Sequence, residues 1–148
     1  GFEEFYGLSL PVSTMEQIAR SFPRMPVVFA HSLFPEFADA FRMLERYDNV
    51  WLEMTNVFGA LWDDRYRVKK LEGQKKVLLE GINAWSDRIM FGSDHPAGMG
   101  TLEEIYRTLD GLDFALTVKE NLLGETARRF VERFKPGFFS RVPTAPRA

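Results

Sequence analysis

Three places in this chain set a proton-carrying or metal-ligating side chain directly after a short apolar run. His31 follows Val27-Val28-Phe29-Ala30, Glu53 and Thr55 close Val50-Trp51-Leu52-Glu53-Met54, and Asp94 with His95 closes Arg88-Ile89-Met90-Phe91-Gly92-Ser93. Each residue alone has an ordinary reading. A lone histidine commonly caps a helix or bonds a loop carbonyl. An aspartate after Gly-Ser suits a turn or an N-cap. Glu53 shares one side of its run with Trp51 and Thr55, facing inward to a site or paired with a cation. His95, next to Asp94, is better placed to support a neighbour than to act. The coincidence carries more weight. A histidine and an aspartate at the exits of separate strands suit a metal or acid–base site.

Other chemistries fit poorly. With no cysteine among 148 residues there is no thiolate ligand, no cysteine nucleophile and no disulfide framework. Gly92 and Gly98 have five residues between them and Met99 after, which breaks the phosphate-loop spacing. Gly98-Met99-Gly100 is a fragment of a dinucleotide fingerprint that follows no strand directly. No Gly-x-Ser-x-Gly nucleophile elbow occurs. The aromatic surplus falls mostly at core spacing, with Phe58 and Trp62 as candidates to line a substrate pocket.

The elements that would position these groups alternate along the chain. Ser13-Thr14-Met15-Glu16 reads as a capping box opening a helix with Met15, Ile18, Ala19 and Phe22 on one stripe, stopped by Pro23 and Pro26. The apolar run 27–30 reads as a strand covered on both faces. Pro35 can start a second helix whose apolar side is Phe37, Phe41, Leu44 and Tyr47. After the strand at 50–54, a polar stretch from Thr55 to Lys70 leads to a helix over 71–85, and 88–91 is a third strand. Thr101-Leu102-Glu103-Glu104 and Thr117-Val118-Lys119-Glu120 are two further capping boxes. The last helix carries Leu123, Ala127, Phe130 and Phe134, and residues 136–148 read as a tail. Strands alternating with helices predict an α/β fold with a parallel sheet, whose functional groups gather at the C-terminal strand ends.

Composition bounds the partners. At 45% hydrophobic and 27% charged, with net charge −2, the chain has no electrostatic case for nucleic acid or anionic lipid. No apolar run approaches the roughly eighteen residues that would cross a membrane. A soluble, cytoplasmic protein acting on a small molecule is the expectation. The first residue is Gly1, which suggests a chain processed or cut from something longer.

Phe22-Pro23, then Val27 to His31, then Asn49-Val50-Trp51-Leu52-Glu53, then Arg88 to Pro96 resemble the C-terminal part of the amidohydrolase superfamily. The resemblance is to the amidohydrolase-2 branch, which includes metal-dependent hydrolases and decarboxylases of the aminocarboxymuconate-semialdehyde type. It covers roughly residues 10–135, and Gly92-Ser93-Asp94-His95-Pro96 after its strand is the most specific stretch. Arg128-Arg129-Phe130 is similar to the family's closing helix. The resemblance implies the C-terminal portion of a (β/α)8 barrel over residues 1–135, about three parallel strands with flanking helices. It also implies a divalent metal, zinc by expectation. Asp94 and His31 then stand where the family has its metal-binding and catalytic aspartate and histidine, after strands eight and six. His95, Glu53, Thr55 and Trp62 become substrate-binding or supporting residues. The implied function is a metal-dependent hydrolase working through metal-activated water. The alternatives are a non-oxidative decarboxylase of the same superfamily, or a catalytically incomplete fragment that self-associates. The family's opening His-x-His and its strand-five histidine have no counterpart here, so this chain would hold only part of the site. A homo-oligomer, or association with a missing N-terminal half, is the partner this implies.

Overall fold

Two capping boxes expected from the sequence do not form, and a third does. In a computed structural model, which describes residues 11–67 and 69–141, helix α1 (Val12–Ser21) starts one residue before Ser13. The extended backbone of Pro11 is its N-cap, and no side chain caps it. The Pro11 carbonyl accepts from Thr14 N at 2.9 Å, so the backbone does the work assigned to Ser13. At Thr117 the helix likewise begins early, behind Ala115, which brings Val118 into the core. The Thr101 box is complete: Glu104 N donates to Thr101 Oγ1 at 3.2 Å and Thr101 N to Glu104 Oε2 at 2.8 Å. It opens α5 (Leu102–Gly111).

The strands are β1 (Val27–Phe29), β2 (Val50–Glu53) and β3 (Ile89–Met90), parallel and ordered β1-β2-β3. Val27 pairs with Val50, and Leu52 with Ile89. The crossovers run through α2 (Phe37–Arg46) and α4 (Gln74–Trp85). The helix expected from Pro35 starts at Phe37, and the one expected from residue 71 starts at Gln74. Phe29, Val50, Leu52 and Ile89 point to one face of the sheet and meet Phe37, Ala40, Leu44, Leu78 and Ile82 in the core. A Cβ at Gly81 would overlap the Phe41 ring, so glycine sets how closely α4 approaches α2. Helix α/β alternation around a parallel sheet is thus as expected, and three strands with flanking helices are what a part of a (β/α)8 barrel contains.

The opposite face carries Val28, Trp51 and Glu53. The sequence reading had β1 covered on both sides, but Val28 is 39% exposed. Trp51 is covered, by a partner that no local pattern announces. Phe130 and Phe134 of α7 (Thr126–Phe134) pack edge-on against its ring at 5.1 and 5.6 Å. Arg133 lies over it at 5.4 Å. The helix expected as one piece is α6 (Leu116–Glu120), a π-turn over Asn121–Glu125, and α7. In the π-turn Thr126 N reaches back to the Asn121 carbonyl. That frees the Leu122 carbonyl to accept from Phe91 N at 3.0 Å, which satisfies a backbone donor just past β3.

Residues 55–70 are less polar than their reading as a connection implied. They contain α3 (Val57–Trp62), in which Val57, Phe58, Gly59, Ala60 and Leu61 are all buried. A Cβ at Gly59 would stand 2.5 Å from Met99 Cβ and 2.8 Å from the Met99 carbonyl, so α3 presses against the chain leaving β3. Below the sheet, Arg88 donates to the Leu44 and Tyr47 carbonyls at 2.7 Å each and to Val50 at 3.2 Å. Its partial burial lowers its pKa from the usual arginine value. The chain after Pro136 makes a short turn over Phe139–Arg141, and the rest of the expected tail lies outside the described residues. Among the described residues no helix is long and apolar enough to cross a membrane.

Candidate functional site

The C-terminal ends of all three strands lead into left-handed backbone. His31, two residues past β1, has φ 56; Asn56, three past β2, has φ 64; Asp94, four past β3, has φ 55. Histidine, asparagine and aspartate are the non-glycine types enriched in this region, and strained backbone of this kind clusters at functional sites. Ser32 and Leu33 continue the left-handed turn at φ 50 and 55. The turn is held from below. The fully buried Ser32 hydroxyl donates to the Glu53 carbonyl at 2.9 Å and lies 3.1 Å from Met54 Sδ.

His31 is exposed, and its Nδ1 lies 3.0 Å from the Thr55 carbonyl. A carbonyl only accepts, which assigns the hydrogen to Nδ1 and leaves the Nε2 lone pair of the neutral ring available. Asp94, also exposed, accepts from Asn56 Nδ2 at 3.2 Å through Oδ2. The other end of the Asn56 amide accepts from Met99 N at 2.7 Å. His31 and Asp94 are therefore both tied to one dipeptide, Thr55-Asn56, at the exit of the middle strand.

Glu53, half-buried on the face of this strand opposite the core, serves as an anchor in this arrangement. Its carboxylate accepts from Thr55 N at 2.7 Å, from the Thr55 hydroxyl, and more distantly from His31 N at 3.5 Å. A Cβ on Gly92 would overlap the Glu53 carboxylate, so a glycine at the end of β3 is what makes room for it. The exposed His95 has its backbone N 3.2 Å from Ser93 Oγ, and among the described residues its ring makes no hydrogen bond. Trp62 is half-buried at the end of α3, with Phe58 at 5.9 Å and Lys75 Nζ over its ring at 5.4 Å. The hydrogen-bonded group therefore joins His31, Glu53, Thr55 and Asp94, with His95 and Trp62 outside it. Asn56 and Ser32 belong to it and were not singled out from the sequence, while Gly92, in the stretch that was, makes room for it. The signal available for Asn56 was a left-handed-tolerant residue placed after a strand, as at His31 and Asp94.

An ionic clasp braces the same end of the molecule. Arg65 meets Asp63 Oδ2 at 2.6 Å and Glu104 Oε1 at 2.9 Å, joining the end of α3 to the first turn of α5. Hydrogen bonding to Arg65 holds Asp63 below its ordinary pKa. The Thr101 N–H, and then Arg65, do the same for Glu104.

The donor set bears on a metal as follows. His31 Nε2 and the second Asp94 oxygen are free of hydrogen bonds among the described residues, which suits two ligand positions. A catalytic zinc takes three protein ligands and water. No group of three such side chains exists among the described residues. His31 and Asp94 alone do not make up such a site, and a complete one needs donors from elsewhere. Two surface concavities lie away from this end, one lined by Asn121, Gly124 and Arg129, the other by Pro23, Asn49, Trp51 and Arg133.

No match emerges among curated proteins or among solved structures. Residues 10–133 match the profile of the Amidohydrolase family (Amidohydro_2), a span that takes in α1, all three strands, the Thr55-Asn56 hub and nearly all of α7. The order of strands and helices and the matched span agree, and the chain belongs to the Amidohydrolase family.

Proposed function

We propose that this chain supplies the Asp94 and His31 part of the active site of a metal-dependent hydrolase acting on a small molecule. The observation that supports this is the tying of both side chains to Thr55-Asn56 at the C-terminal end of a parallel sheet, each with one atom left over for chemistry. Asp94 and His31 Nε2 would hold a divalent ion, zinc by expectation. When bound, such an ion supplies a Lewis acid that makes water a nucleophile near neutral pH. Asp94 would then serve as proton acceptor, while the Thr55 carbonyl, by taking the His31 Nδ1 hydrogen, keeps the ring oriented with Nε2 toward the ion. Glu53 would keep the two exits in register, and His95 and Trp62 would contact substrate. The remaining ligands come from outside the described residues, on a longer form of this polypeptide or on a second copy.

The test is a zinc titration of the full chain followed by NMR, beside elemental analysis of the purified protein. His31 and Asp94 signals should respond first, and Asp94→Asn with His31→Asn should abolish the response. Stoichiometric zinc retained by the double variant would sink the assignment. Product analysis separates the chemistry: water incorporated into product supports hydrolysis, whereas release of carbon dioxide would transfer the same residues to a decarboxylase.

A further inference from the structure

We propose that Asn56 is the positioning residue for Asp94, and that its side-chain amide, rather than its left-handed backbone, is what function requires. The proposal rests on reading Asp94 and His31 as the chemical groups. Asn56 lies between two rigid pieces. Behind it is β2, and its own carbonyl accepts from Ala60 N at 2.9 Å to begin the buried helix α3. With φ 64 and ψ −11 it breaks the strand's alternation of faces. One dipeptide can then address both neighbours: the Thr55 carbonyl takes His31 Nδ1, and the Asn56 side chain takes Asp94.

The side-chain chemistry is specific. One end must donate to a carboxylate and the other must accept from the Met99 N–H. A primary amide offers both, whereas a carboxylate offers acceptors alone and would repel Asp94. The chain from Ser93 to Met99 closes tightly over this amide. A Cβ at Gly98 would overlap the Ser93 carbonyl and stand 3.1 Å from both Asn56 Oδ1 and Asp94 Cβ. Without the amide, Asp94 loses its one hydrogen-bonded partner among the described residues, and an exposed aspartate on a left-handed residue has nothing else to select its rotamer.

Glycine separates the two roles, because it adopts the left-handed backbone freely and carries no amide. In the full chain, Asn56→Gly should still fold and unfold cooperatively, with a midpoint lowered modestly because the buried Met99 N–H loses its acceptor. Three-bond couplings at Asp94, which report one χ1 rotamer in the parent, should become averaged, and the Met99 amide should exchange faster. Zinc alone, titrated into the variant, should bind about tenfold more weakly, the usual cost of losing a supporting residue. As a second measurement in a chain that keeps Asn56, Asp94→Gly should move the Asn56 side-chain NH2 signals while leaving Met99 protected. An Asp94 that keeps its single rotamer in Asn56→Gly, or NH2 signals unmoved in Asp94→Gly, overturns the positioning role. Averaged couplings with unchanged zinc binding leave that role standing and instead overturn the reading of Asp94 as a ligand.

Discussion

Substitutions at His31 and Asp94 act on two things at once, because both stand on left-handed backbone at φ 56 and 55. Replacing either by a β-branched residue adds strain of about 1–2 kcal/mol to the loss of the functional group. Asn is the cleaner probe: Asp94→Asn and His31→Asn should unfold within a few degrees of the parent, measured calorimetrically, while losing the zinc response. Ser32 is a structural counterpart. Its buried hydroxyl holds the left-handed turn to the Glu53 carbonyl, so Ser32→Ala should cost about 1 kcal/mol in denaturant titration. Gly92→Ala should cost more, about 2–3 kcal/mol, since the new methyl group must displace the Glu53 carboxylate and with it Thr55.

Among the elements, the expected capping boxes show what a motif can and cannot specify. Ser13, Thr101 and Thr117 all have a Glu three residues on, yet only Thr101 caps its helix. The other two helices start where the burial of Ala19 and Val118 demands, and a proline or alanine carbonyl suffices there. The Thr101 box also feeds the clasp through Glu104 and Arg65 to Asp63. Both carboxylates have pKa values below their ordinary 3.8 and 4.5. Depressed carboxylates stabilise the fold fully above those ordinary values, and the contribution disappears as pH falls through the lower folded values. Stability should therefore decline with acidification below about pH 4.5, and Arg65→Ala should flatten that decline by lowering stability at neutral pH, the two proteins converging in acid. Urea midpoints from pH 2 to 7 check this, and an unchanged acid slope would refute it.

At the scale of the whole molecule, the sheet has a thick core on its helix side and a thin cover on the other. Trp51 depends on Phe130, Phe134 and Arg133, all carried by the last helix. Phe130→Ala should destabilise by about 1–3 kcal/mol and red-shift the part of tryptophan emission that comes from Trp51. A Trp51→Phe background identifies that part.

The strands, the α/β class and the positions of His31, Glu53 and Asp94 were legible because they depend on local patterns. Apolar runs make strands, alternation with helices makes the sheet parallel, and parallel sheets put chemistry at their C-terminal ends. Helix α3 was half-legible: its apolar residues are consecutive, but the charged residues at 63–65, 67 and 69–70 obscured them. What the sequence could not specify involves partners distant along the chain. Asn56 meets Asp94 across 38 positions and Met99 across 43. Glu53 fits only because Gly92 lacks a side chain, and Trp51 is covered by a helix that begins at Thr126. Periodicity reports which face of an element is apolar. Which group on another element completes a hydrogen bond is decided only when the strands are set side by side, and there the tertiary structure made Thr55-Asn56 the hub of the site.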